Sequence, residues 1–141
     1  MAVPDKRINQ FIEDRDTRVS VGIDFPFARV PNKDGYFKTT KTTVESIKNN
    51  IKLLLQTQVG ERVFQPNLGM SIKDFLFEQL TTDTTIMIEN NIVDVFEKWL
   101  PYVELSNIEI KQNDNNSLEI RLAFSIQNTP TIETVSVSID S

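Results

Sequence analysis

The sequence predicts an α+β domain of two layers, helices packed on a small antiparallel C-terminal β-meander, with an extended N-terminal arm and hairpin in front of it. Three observations predict it. Apolar residues recur at helical spacing in two stretches, Val44 to Leu55 and Ile88 to Trp99. Past Pro101 the pattern changes to alternation, without a fault over Leu118, Ile120, Leu122, Phe124 and Ile126. Turn-forming clusters separate the alternating runs, as a meander requires. The 141 residues are 39% apolar and 25% charged, enough for one real core. We divide them into an arm and hairpin, residues 1–41, and a domain, residues 42–141.

Residues 1–19 are polar, with Ile8, Phe11 and Ile12 on one side of a short helix. A stripe that short does not hold a helix in water, so this part reads as an arm ordered by a partner or by the body. Val19, Val21, Ile23, Phe25 and Phe27 then alternate as one strand. Pro26 cannot donate to a ladder, which makes it an edge or an extended arm. Pro31 to Gly35 is a turn, and Tyr36 and Phe37 return as a second short strand. Two readings follow: a hairpin on the body's own sheet, or an arm reaching a neighbouring subunit.

Thr42, with Glu45 three residues on, has the spacing of a capping box for a helix over about 43–58. Ile47, Ile51, Leu54 and Leu55 line it, and Gly60 takes the left-handed position that ends it. Ser71 and Asp74 repeat the capping spacing before a short helix carrying Ile72, Phe75, Leu76 and Leu80. Thr81 to Thr85 interrupts that pattern, so a new helix starts near 83. Ile88, Ile92, Val95, Phe96 and Trp99 form its stripe; Ile86, Val93 and Leu100 widen it, predicting burial on two sides, and Pro101 stops it. Val103 and Leu105 share one parity and Ile108 and Ile110 the other, which predicts a bulge at Ser106-Asn107. Asn113 to Ser117 is a turn; it lacks the central glycine and closing glutamate of a calcium loop. Val135, Val137 and Ile139 make the last strand.

Composition excludes several chemistries. Without histidine or cysteine there is no thiol nucleophile, no histidine-based triad and no Cys/His zinc site. No cofactor and no metal centre is expected. No apolar run approaches a membrane span, the N-terminus lacks the apolar core of a signal peptide, and the lack of cysteine agrees with folding in a reducing cytoplasm. Residues 1–41 carry eight Lys/Arg and six Asp/Glu, a net of +2, and residues 42–141 carry seven and fourteen, a net of −7. An acidic body argues against nucleic acid as the main ligand.

The most loaded stretch is Gly60-Glu61-Arg62-Val63-Phe64-Gln65-Pro66-Asn67-Leu68-Gly69. Arg62 offers a planar donor fork, Glu61 accepts amides or pairs with a cation, Pro66-Asn67 sets a turn and Gly69 permits a reversal. Val63, Phe64 and Leu68 are expected to anchor the loop on the core. A glycoside hydrolase would need two carboxylates beside a sugar cleft, and Glu61, Asp74 and Glu78 are the nearest candidates. Asp74 is better explained as a cap and Glu78 as a surface residue, so catalysis is not expected.

This loop, followed by Ile72-x-Asp74-x-Leu76-Phe77-Glu78, resembles the signature of the GpW/Gp25 family of baseplate wedge proteins from contractile-tailed bacteriophages, with relatives in type VI secretion baseplates. The resemblance covers residues 42–140, including the order helix, loop, short helix, long helix, meander. It implies a structural part of the virion: an inner-wedge protein, assembled in the bacterial host cytoplasm, six copies per baseplate. It would dock on the helical core bundle and initiate the tail sheath by β-strand addition. The implied partners are other wedge proteins, tail sheath subunits and tube or hub proteins. The partner-binding residues would be Glu61, Arg62, Phe64, Pro66, Gly69, Pro101, Tyr102, Val135, Val137 and Ile139, with Gly60, Ser71 and Asp74 structural. Alternatives within the resemblance are a tail-associated muramidase and the equivalent protein of a type VI or extracellular contractile system. Many family members carry a Glu-Pro-Arg triplet after the long helix, implicated in docking; here it is Leu100-Pro101-Tyr102.

Overall fold

The computed structural model describes residues 11, 14, 16, 18–32 and 35–140. The chain forms two compact units, residues 1–50 and 51–141. In chain order the elements are β1 (Gly22–Ile23), β2 (Arg29–Asn32), β3 (Gly35–Phe37), β4 (Thr39–Thr40), α1 (Thr43–Gln56), a 3₁₀ helix (Ile72–Phe77), α2 (Thr82–Trp99), β5 (Val103–Asn113), β6 (Ser117–Ile126) and β7 (Ile132–Ile139). The α+β class holds: helices and a three-stranded antiparallel sheet.

In the first unit the alternation from Val19 to Phe27 does not give one strand. Proline has no N–H to continue a ladder, and the chain bends at Phe25-Pro26. Two short antiparallel ladders replace it, β1 with β4 and β2 with β3. They are separate from the C-terminal sheet, so the hairpin is not part of the body's own sheet. Asn32 pairs with Gly35 across the predicted turn, whose Lys33 and Asp34 lie outside the described residues, as do Ile8 and Ile12 of the predicted arm helix. Asp24 ties this hairpin to α1. Its carboxylate accepts from Asn49 Nδ2 at 3.0 Å and pairs with Lys38 Nζ at 2.7 Å. The Lys38 ammonium, then the Asn49 amide, hold the Asp24 carboxyl below its ordinary range, and the same pair raises Lys38. At the start of α1 the Glu45 N–H bonds Thr42 Oγ1 at 3.3 Å, as the capping spacing predicted, and Asp14 accepts from both the N–H and the hydroxyl of Thr43.

In the second unit, Ile51, Leu54 and Leu55 from α1, Ile72 and Leu76 from the 3₁₀ helix, and Ile88, Ile92 and Phe96 from α2 are buried. Thr81 caps α2 by accepting from the Thr84 N–H, and Pro101 lies just beyond its end. The predicted second buried side is not there. Ile86 is 48% exposed and Val93 37%; only the Ile88–Ile92–Phe96 stripe and Leu100 are buried.

The sheet runs β5-β6-β7, with β6 in the middle. Its register pairs Leu122 with Ile108 on one side and Val135 on the other. All five inward residues of β6 are buried, as are Val135, Val137 and Ile139 of β7, each contributing roughly 1.5–3 kcal/mol. The predicted bulge is present: Leu105 pairs with Phe124 and Asn107 with Ala123, leaving Ser106 unmatched. The Asn113–Ser117 turn closes β5 on β6, with Asn116 at φ 55°.

Candidate functional site

The Gly60–Gly69 loop is a braced corner. The Gly60 N–H donates to the Pro66 carbonyl at 2.8 Å and closes its base. Inside it the Glu61 N–H reaches the Gln58 carbonyl and the Leu68 N–H the Gln65 carbonyl, at 3.2 and 3.0 Å. The Met70 N–H donates to the Thr57 carbonyl at 2.8 Å. Gly69 is buried at φ 119°, and a Cβ there would lie 2.4 Å from the Thr57 oxygen, so a side chain is excluded by both conformation and space. Gly60 also has positive φ, 94°, but open space around it.

Three expectations about this region are corrected. Gly60 does not end α1. The Gln58 N–H donates to Glu61 Oε2 at 3.1 Å instead of to a helix carbonyl, so the helix stops at Gln56 and Gly60 lies further on. Ser71 forms no side-chain cap. Asp74 N–H bonds the Ser71 carbonyl in 3₁₀ geometry, and the short helix is a six-residue 3₁₀ turn. Val63 and Phe64 do not anchor the loop: they are 88% and 96% exposed. The cross-base bond from Gly60 to Pro66 makes residues 61–65 project, while buried Met70 and half-buried Leu68 provide the anchoring.

Glu61, Arg62, Phe64 and Pro66 are exposed, and the Glu61 carboxylate is engaged within the loop. Pro101 is exposed, Tyr102 half-buried, and Leu100 buried. The side chains of Val135, Val137 and Ile139 point into the core, which leaves only the strand's backbone edge for a partner. Among the described residues β7 pairs with β6 alone. Sequence reasoning missed Thr57, whose carbonyl holds Met70 and forces glycine at 69; a polar residue at a helix end gives no signal of that.

The outer face of the sheet carries a shallow groove of about 420 Å³ lined by Asn107, Glu109, Arg121, Ala123, Thr134 and Ser136. It has one carboxylate, no aromatic wall, and none of Glu61, Asp74 or Glu78. Arg121 is bound to Glu119 at 3.0 Å. Among the described residues no group of acidic side chains could hold a metal ion.

Among the described residues the site comprises a braced, projecting corner, an outer strand paired on one side only, and a groove with a single carboxylate. Comparison with known proteins identifies the chain's family. Residues 41–131 match the family of baseplate wedge protein gp25, and the chain belongs to that family. Baseplate wedge protein gp25 of Enterobacteria phage T4 is 30% identical over 88 residues, which cover 62% of this chain and 67% of that protein. A Geobacter sulfurreducens protein described as a candidate tail lysozyme superposes with a TM-score of 0.62 at 27% identity, over 70% of this chain and 91% of that one. The fold is also shared with a chain of the six-fold symmetrised anti-feeding prophage baseplate, TM-score 0.56 at 21% identity over 82% and 81% of the two chains. A chain of the post-contraction pyocin R2 baseplate has it too, TM-score 0.55 at 13% identity over 72% and 99%. The family is a structural one of the contractile-tail baseplate.

Proposed function

We propose that this protein is a non-catalytic inner-wedge component of a contractile-tail baseplate in the virion, assembled in the host cytoplasm in six copies, and that it initiates the sheath by accepting a β-strand along β7. The single observation that carries the strand addition is the unguarded β7 edge. Ile132–Ile139 is eight residues long with no bulge, no proline and no lysine; its one charge, Glu133, lies at its start, and its outward side chains after Ile132 are Thr134, Ser136 and Ser138. Natural sheets usually blunt such an edge. Strand addition gives backbone hydrogen bonds with little demand on side chains. The arm and hairpin, residues 1–41, then serve as a separate attachment segment in front of the wedge domain, residues 42–141. Docking on the wedge core bundle falls to Pro101, Tyr102 and the Gly60–Gly69 corner.

The experiment is complementation of particles lacking the protein with a chain carrying proline in β7. Baseplates without sheaths support the reading; normal sheaths contradict it. A muramidase has one point in its favour, the description of the Geobacter sulfurreducens relative. The groove's lone Glu109 does not supply the two carboxylates that glycoside hydrolysis uses. Purified protein that clears peptidoglycan, with loss on Glu61→Gln, would establish the enzyme instead.

A further inference from the structure

We propose that the Gly60–Gly69 corner is a plug: Val63 and Phe64 enter an apolar socket on a neighbouring baseplate protein, and Arg62 pairs with a carboxylate on that socket's rim. This rests on the baseplate reading above. Four backbone hydrogen bonds brace the corner and its return to Met70, and Gly69 locks the reversal by close approach to Thr57. Two apolar side chains are nonetheless held at 88% and 96% exposure. A preformed loop loses little conformational entropy on docking, and a buried aromatic anchor is the usual centre of an interface.

Charge identifies the socket. Residues 51–141 carry six Lys/Arg and thirteen Asp/Glu. Even so, among the described residues Arg62 has no hydrogen bond and no ion pair. The adjacent Glu61 does not pair with it: its carboxylate turns back to the Gln58 N–H. A guanidinium left free on an acidic surface, beside an exposed phenylalanine, matches a partner that sets a carboxylate next to an apolar hollow. The two charges therefore have different jobs: Glu61 braces the loop and Arg62 faces the partner.

The test is site-specific photocrosslinking in assembled particles, with Phe64→p-benzoylphenylalanine in the full chain and crosslinked peptides read by mass spectrometry. The expected result is one dominant peptide, from another baseplate protein, with Asp or Glu beside apolar residues. Arg62→Glu should cut the yield about tenfold or more, and reversing the identified carboxylate to lysine should restore it. Glu61→Gln, which keeps an acceptor for the Gln58 N–H, should leave the crosslink in place. Crosslinks confined to copies of this chain, or scattered over several proteins, overturn the plug, as does a yield indifferent to Arg62→Glu. The chain's presence in particles is measured separately. If it is absent, the baseplate reading fails; if it is present without a crosslink at position 64, only the plug fails. Because Phe64 is exposed, Phe64→Ala should leave thermal unfolding unchanged while lowering incorporation about tenfold; unchanged incorporation counts against the plug.

Discussion

β5 and β7 flank the same central strand, and they are built differently. β5 carries an unmatched residue at Ser106, charges at Glu104, Glu109 and Lys111, and a half-buried inward row at Leu105, Ile108 and Ile110. β7 keeps unbroken register with β6 from Ile132 to Ile139 and buries Val135, Val137 and Ile139. Its outward side chains at 134, 136 and 138 are uncharged hydroxyls. Bulges and charges are what protect a sheet edge from foreign strands. β5 has a bulge and three charges, whereas β7 has no bulge and a single charge, Glu133, at its start, so of the two edges β7 is the less guarded.

Both edges depend on the packing of the central strand. Phe124 is fully buried in β6, and Phe124→Ala should cost about 3–5 kcal/mol in chemical denaturation, with assembly lost as well. A subtler break uses proline at Ser136 and, separately, at Val137. Adjacent residues of an edge strand direct their N–H groups to opposite sides. The variant whose N–H faces outward should unfold cooperatively, yet form no sheath. The other should lose a ladder bond as well, at about 1 kcal/mol or more. Sheaths formed by both would end the argument for β7.

Deleting Ser106 sharpens the contrast from the other side. Without it Leu105 and Asn107 still alternate, and β5 becomes a regular edge. Concentration-dependent self-association should then appear in analytical ultracentrifugation; a strictly monomeric deletion variant would show that the charges of β5 guard the edge without the bulge. The smallest effect is a control on pH. The Asp24 carboxyl is depressed by Lys38 and Asn49, so its contribution is present above the ordinary carboxylate range and lost as pH falls through the lowered value. Acid should loosen the first unit, and Asp24→Asn should remove that dependence. Strand addition along the uncharged hydroxyl row of β7 should not follow it.

Both sheet edges were legible in the sequence, because alternation with period two states which side chains face the core, and the parity change at Ser106-Asn107 states where the ladder slips. The Ile88–Ile92–Phe96 stripe was legible for the same reason at helical period. The loop was legible as a motif but not in its geometry. Val63 and Phe64 look like core residues by hydropathy; they are exposed because of a backbone bond from Gly60 to Pro66, which hydropathy does not encode. Ser71 and Asp74 have capping spacing, but a 3₁₀ turn of six residues uses the Ser71 carbonyl instead of its hydroxyl. The proline at 26 announced an interruption, yet not that the chain would divide into two ladders tied to α1 through Asp24 and Asn49.

The decisive measurement is a cryo-EM map of the assembled baseplate with its sheath. The account predicts a fourth strand, from a sheath subunit, hydrogen-bonded along Ile132–Ile139, with β5 unpaired on its outer side. A bare β7, or a foreign strand lying along β5 across the Ser106 bulge, would contradict it.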